Sequence, residues 1–307
     1  MNKATLSPDY PDLRKIADWF TPINFRAIQN DTFSKHAIGT GQWFIENPKF
    51  QDWLSLRDFP VLWVKGIRKH LVCCYLYFRL LKLLDSWCWK DNSFVSSHFP
   101  VVILYDIHSP LRFRSIVIRH LDRSFSNNQD IAIVFAYCQY TARHSITDYL
   151  ASFVKQLVER HSALFSVVKS VYMGHLRDAT RPHQHELLEL LRTFVSLFTR
   201  VYIVIDALDE VPEDGRDGFL KALMSLQASL LVTSRSSHWL HNKQYIDIED
   251  ENQKDIDLFI DKKLQESSRL SVLLKGKEQI KEQIGKKLRE TSKSMYVTCG
   301  LEYSIQS

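Results

Sequence analysis

The chain has 307 residues, 45% of them hydrophobic, and a formal net charge of +5. That is enough apolar material for one large or two modest domains and excludes a disordered chain, while the small, dispersed positive excess gives no argument for nucleic acid or an anionic membrane as partner. Five cysteines, Cys73, Cys74, Cys88, Cys138 and Cys299, form an odd set without metal-ligand spacing, which suits a reducing cytoplasm better than a disulfide scaffold. The polar N-terminus carries no secretory signal. The greasiest window, LVCCYLYFRLLKLL at 71–84, falls short of a membrane span of roughly 20 residues and holds Arg79 and Lys82, so the expectation is a soluble, cytoplasmic protein.

In chain order, residues 1–57 read as a helical lead-in: LRKIADWF, TFSKHAI and TGQWFIENPKFQDWL show helical periodicity, and Asn47-Pro48 marks a turn or helix start. VLWV at 61–64 reads as a short buried strand that ends at Lys65-Gly66. From residue 131 strands and helices alternate: IAIVFAYC, then the helices ITDYLASFVKQLVERH and HELLELLRTFVSLF, the strand VYIVIDAL, the helix GFLKALMSLQA and the strand LLVTSR. Apolar runs without period-two alternation belong to strands covered on both faces, so the predicted fold class is α/β, a three-layer parallel sheet flanked by helices over 58–245. VPEDG is expected to break the chain at Pro212 and Gly215. After Asp247, the Lys- and Glu-rich segments NQKDIDLFIDKKLQES and KGKEQIKEQIGKKLRE, with Gly276 and Gly285 as breaks, read as solvated helices of a truncated module over 246–307.

The strongest chemical signal is VYIVIDALDE at 201–210. The strand ends in Asp206, which puts a carboxylate at the carboxyl edge of a parallel sheet, where α/β ligand sites form. Asp209 and Glu210 follow one turn on. A hard cation such as Mg²⁺ needs a carboxylate on a rigid element, and phosphoanhydride hydrolysis needs a second acid to orient water. Three crowded acids would repel one another without a cation. An ordinary strand with an acidic turn accounts for the same letters. LLVTSR ends in Thr233, Ser234 and Arg235, and a guanidinium there matches phosphate geometry, although a surface arginine is the plainer alternative. His183 and His185 sit on the leading edge of an amphipathic helix without a third ligand, which reads as surface.

The succession TGQWFIENPKFQDWL, VLWVKGI, SIVIRHLDRSF, IAIVFAYC, ITDYLASFVKQLV, VYIVIDALDE and LLVTSR resembles the NACHT-type NTPases of the STAND class, in particular fungal NACHT proteins with a nephrocystin 3-like N-terminal domain, often followed by ankyrin repeats. The resemblance covers roughly residues 11–295 and implies a P-loop NTPase core that binds ATP or GTP with Mg²⁺, hydrolyses it weakly and switches conformation to drive assembly with protein partners or copies of itself. It implies Asp206 as the residue holding Mg²⁺ through water, Asp209 or Glu210 as the positioner of the attacking water, Arg235 as a phosphate sensor and Gly66 as the first glycine of the phosphate loop. It does not extend to the segment after Gly66. Members of the family continue VLWVKGI as PGAGKT, whereas residues 68–114 contain no glycine. A phosphate loop needs closely approaching backbone N–H groups, a lysine and a Mg²⁺-ligating hydroxyl, and Lys90 in SWCWKDNSF has no glycines around it.

That string accounts for the loss. SWCWKDNSF can be encoded by AGC TGG TGC TGG AAA GAC AAT TCT TTC, which read one base later gives AGAGKTIL. Arg68-Lys69 as CGT AAG contains GTAAG, an intron start, and Ser86 as AGC supplies a terminal AG; excision yields GI followed by PGAGKT. Val95-Ser96 as GTA AGT and Phe113-Arg114 as TTT AGG bound a second excision, and the joined chain reads GIPGAGKTILSSIVIRHLD. Residues 68–85 and 95–114 are therefore expected to be translated introns, with 86–94 an exon out of frame. A genuine insertion is the alternative, and it predicts a helix at LVCCYLYFRLLKLL and a strand at PVVILYDI. For the chain as written, nucleotide binding and catalysis are expected to be lost; a non-catalytic interaction scaffold built on the helical flanks is the second functional class.

Overall fold

The computed structural model describes residues 10–34, 39–56, 58, 60–65, 113–139, 142, 144–235, 245–248, 255, 258, 279, 282 and 286. Gly66, the inserted helix and strand of the alternative reading, and most of the C-terminal charged helices lie outside these residues.

Four helices precede the sheet: α1 (Tyr10–Phe20), α2 (Phe25–Ser34), α3 (Gln42–Glu46) and α4 (Pro48–Ser55). Asn47 is extended at φ −62° and ψ 127°, as the residue before a proline prefers, and Pro48 opens α4 where its missing N–H has no partner to lose. Then come β1 (Val61–Lys65), α5 (Phe113–Ser124), β2 (Ile131–Tyr137), α6 (Ile146–Arg160), α7 (Phe165–Arg177), α8 (Gln184–Ser196), β3 (Arg200–Asp206), α9 (Glu213–Met224), β4 (Ser229–Ser234) and β5 (Tyr245–Asp247). Strands β1 to β4 fall where the apolar runs place them, whereas β5, the short segment YID, was not read from the sequence. Two helical readings change. Helix α9 starts at Glu213, so Gly215 lies in its first turn instead of breaking the chain; Glu213 and Asp214 suit a helix N-terminus, and a Cβ at 215 would come within 3.0 Å of Ile146 Cδ1. Helix α7 was not legible because it buries Val168 and Tyr172 while exposing Met173 and Leu176, which blurs its apolar stripe.

The sheet order is β2-β3-β4-β1-β5, and the pairs β2/β3, β3/β4 and β4/β1 are parallel. This confirms the α/β class, a parallel sheet between helical layers. Every residue of β4, and all of β2 and β3 after the first, is buried. Tyr202 of β3 stacks on Phe125, just beyond α5, and meets Trp53 of α4. Tyr149 of α6 stacks on Phe219 of α9. Strand β2 is a sheet edge, and at Phe135 its backbone is met by one side chain: Gln156 of α6 donates Nε2–H to the Phe135 carbonyl at 2.8 Å and accepts the Phe135 N–H at 3.1 Å.

The chain divides into two compact units, one comprising residues 1–31, 48–65 and 117–246 and the other 32–47, 66–116 and 247–307. The first holds the sheet. Within the second, Asp255 is buried and its Oδ2 accepts from the Gly41 N–H at 2.6 Å and from Trp43 Nε1–H at 2.8 Å. Gly41 needs to be glycine on two counts: its φ is 78°, and a Cβ would meet Ile116 Cδ1 at 2.3 Å.

Candidate functional site

The strand order determines where a ligand could bind. From β1 the chain must reach β2 at one edge, and from the adjacent β4 it must reach β5 on the other side of β1. Neighbouring parallel strands whose connections diverge leave a crevice at their carboxyl ends, the usual ligand position in open α/β sheets. The register lines up Thr233 with Val64 and Ser234 with Lys65, and Ile205 with Val232, so Asp206 and Thr233 stand side by side one residue short of the end of β1.

Asp206 is buried, and its Oδ1 accepts from the Thr233 hydroxyl at 2.7 Å; the same hydroxyl oxygen accepts the Ala207 N–H at 2.8 Å. Ala207 is left-handed (φ 55°, ψ 52°), a conformation that costs a non-glycine residue roughly 1–2 kcal/mol. The tight exit from β3 that it makes is held by that hydroxyl. Replacing Thr233 by Val keeps the shape but removes one donor from the Asp206 carboxylate and the acceptor of the Ala207 N–H. The expected result is a loss of about 1–3 kcal/mol in denaturant-unfolding stability, and an unchanged midpoint would show that the pair is not what fixes the turn.

After Ala207 a 3-10 turn, Leu208–Glu210, carries the other two acids. Arg216 of α9 clamps it from below, Nη2 reaching the carbonyls of Asp209 at 3.0 Å and Val211 at 2.7 Å and Nε reaching that of Val211 at 3.0 Å. Both carboxylate oxygens of Asp209 are taken up by Arg235, Oδ1 by the backbone N–H at 3.1 Å and Oδ2 by Nε–H at 2.5 Å. Arg235 Nη2 lies 3.7 Å from Glu210 Oε1. The three acids named from the sequence therefore share one sheet edge but do not converge on one point: Asp206 turns to Thr233, and Asp209 and Glu210 turn to Arg235. Among the described residues no group of three or more His, Cys, Asp or Glu side chains is disposed to hold a metal ion.

An oxygen-only pair, the Asp206 carboxylate and the Thr233 hydroxyl, fits the hard-cation chemistry of Mg²⁺, which commonly takes one protein carboxylate and completes its shell with water and phosphate oxygens. No GxxxxGK[ST] sequence, the usual cradle for nucleotide phosphates, follows Lys65. Beyond β2, the Cys138 N–H donates to the Asp206 carbonyl at 2.9 Å, and burial, with Cys138 beside it, raises the pKa of the Tyr149 phenol, so that group stays neutral. His183 and His185 remain surface groups: the His183 N–H donates to Glu186 Oε2 at 2.6 Å, and His185 is 83% exposed. The residues that sequence reasoning left without a role are Thr233 and Arg216. Thr233 was legible as a hydroxyl at a strand end; Arg216 carried no signal, since its role is to bind backbone carbonyls.

Among known protein families, the one described as nephrocystin 3, N-terminal, matches residues 113–235. The matched span begins with α5, ends at Arg235 and includes Asp206, Asp209, Glu210 and Thr233, while β1 and Gly66 lie outside it. No curated protein and no solved structure matches the chain. No helix among the described residues is long and apolar enough to cross a membrane.

Proposed function

We propose that this chain is a fragment of a NACHT-type STAND NTPase whose intact form is a nucleotide-dependent conformational switch, and that nucleotide binding is lost here because the phosphate loop does not follow Gly66. The observation that carries the reading is the arrangement at the carboxyl edge: the Asp206–Thr233 bond and the Asp209–Arg235 pair lie beside the end of β1, inside the span that matches the nephrocystin 3 family. In the intact form Asp206 and Thr233 hold Mg²⁺, Asp206 through water; Asp209 or Glu210 orients the attacking water, and Arg235 reads the phosphate of ATP or GTP. Mg²⁺ supplies charge neutralisation of the phosphates when bound. The protein acts in the cytoplasm, and its partners are other proteins or copies of itself.

The loop is missing because residues 68–85 and 95–114 are translated introns. The family match begins at residue 113, close to Ser115, where the reconstructed frame resumes. Sequencing the transcript across codons 60–120 tests this directly. The expected product is shortened by two segments and encodes GIPGAGKTILSSIVIRHLD. A full-length product as the sole species would overturn the intron reading and favour the non-catalytic scaffold, for which ATP and GTP leave the melting temperature of the chain unchanged.

A further inference from the structure

Three carboxylates near one sheet edge need a counter-charge, and in the NTPase reading that charge is a divalent cation. The geometry points to a different one in this chain: Arg235 is a built-in counter-ion that holds Asp209 and Glu210 in place of a metal, so the acidic turn is pinned to the end of β4 with nothing bound. Its backbone and side chain together satisfy both oxygens of Asp209, and its second arm faces Glu210. The side chains of Asp209 and Glu210 are only 10% and 17% exposed, so water screens them weakly, whereas Arg235 at 33% keeps a route out to solvent. Arg216 of α9 also holds the turn, through the carbonyls of Asp209 and Val211.

This inference rests on the proposed NTPase reading only for the meaning of the site; the counter-ion itself belongs to this chain. It specifies the regulation of that site. A phosphate that engages Arg235 shares the guanidinium's charge with Asp209 and Glu210, and a cation at the two acids competes with it. Asp209 is then a positioning residue for Arg235.

The test uses the full chain and Mg²⁺ alone as the probe, with melting followed in EDTA and in excess Mg²⁺. The unmutated chain is expected to gain less from Mg²⁺ than Arg235→Gln does. Arg235→Gln is expected to melt lower in EDTA by on the order of 5 °C and to recover part of that loss in Mg²⁺, because its carboxylates then lack a counter-ion. The double variant Arg235→Gln with Asp209→Asn is expected to recover most of the loss without Mg²⁺. A Mg²⁺ stabilisation of Arg235→Gln no larger than that of the unmutated chain, or a double variant no better than Arg235→Gln alone, would overturn the inference. Should Arg235→Gln fail to fold, the double variant still decides: folding restored supports the counter-ion, and folding equally lost refutes it. No nucleotide enters this experiment, so its outcome is independent of whether the loop-restored protein binds ATP or GTP.

Discussion

Replacing residues 68–114 by PGAGKTILS is expected to increase affinity for ATP or GTP roughly a thousandfold, a gain of about 4 kcal/mol. The replacement joins Gly66-Ile67 to Ser115, so that a loop of closely spaced amides, a lysine and a threonine hydroxyl leads straight into α5. Phosphate contacts of this kind are charge-assisted and supply most of the binding in such sites, and the N-terminus of the following helix adds its dipole. In the proposed reading the rest of the site is the Asp206–Thr233 edge at the ends of β3 and β4. Equilibrium binding of a fluorescent nucleotide to the two chains in the presence of Mg²⁺ measures the difference. Equal, weak binding by both would mean that the Asp206–Thr233 edge is not a Mg²⁺-nucleotide site at all, and the scaffold reading would stand. Changing the loop lysine of the restored chain to Ala should remove most of the gain, which separates phosphate recognition from a general improvement in folding.

The second large effect is structural. Trp53 of α4 is 2% exposed, and its indole Nε1–H lies between two carbonyls, that of Leu230 on β4 at 2.9 Å and that of Pro60 ahead of β1 at 3.1 Å. Its ring packs on Phe50 and Tyr202 with centroids 5.6 and 5.2 Å away. Trp53→Ala opens a large cavity and removes the donor that ties β1 to β4 at their start, so the expected loss is about 3–5 kcal/mol. That is a large part of the 5–15 kcal/mol or so that holds a typical domain together. Trp53→Phe keeps most of the bulk and loses the hydrogen bonds, so it should cost about 1–3 kcal/mol. Urea unfolding of the three chains checks the order. If Phe proved as damaging as Ala, the hydrogen bonds rather than the packed volume would be the main contribution of this residue.

The sheet was legible because its strands are short continuous apolar runs, which only strands buried on both faces need. The acidic edge was legible for a related reason: in VYIVID the apolar run stops at a carboxylate, and a carboxylate that follows five buried residues needs a polar partner at the strand's end, which the Thr233 hydroxyl supplies. Less could be read where the pattern is local to a surface or depends on another segment. Helix α7 buries too few of its residues to show a stripe, and the glycine at 215 lies close against Ile146, which is far from it in sequence.

For the site, the sequence by itself determined the candidate residues, Asp206, Asp209, Glu210 and Arg235, and that no GxxxxGK[ST] loop follows Gly66. These are matters of residue type and spacing along one strand. Only the tertiary structure decided how the charges are shared. Parallel pairing of β3 with β4 brings Thr233 to Asp206 and Arg235 to Asp209 across more than twenty residues of chain, so the turn that looks like uncompensated negative charge in the sequence carries its own cation. Strand register, a property of the folded sheet, sets that pairing; composition cannot.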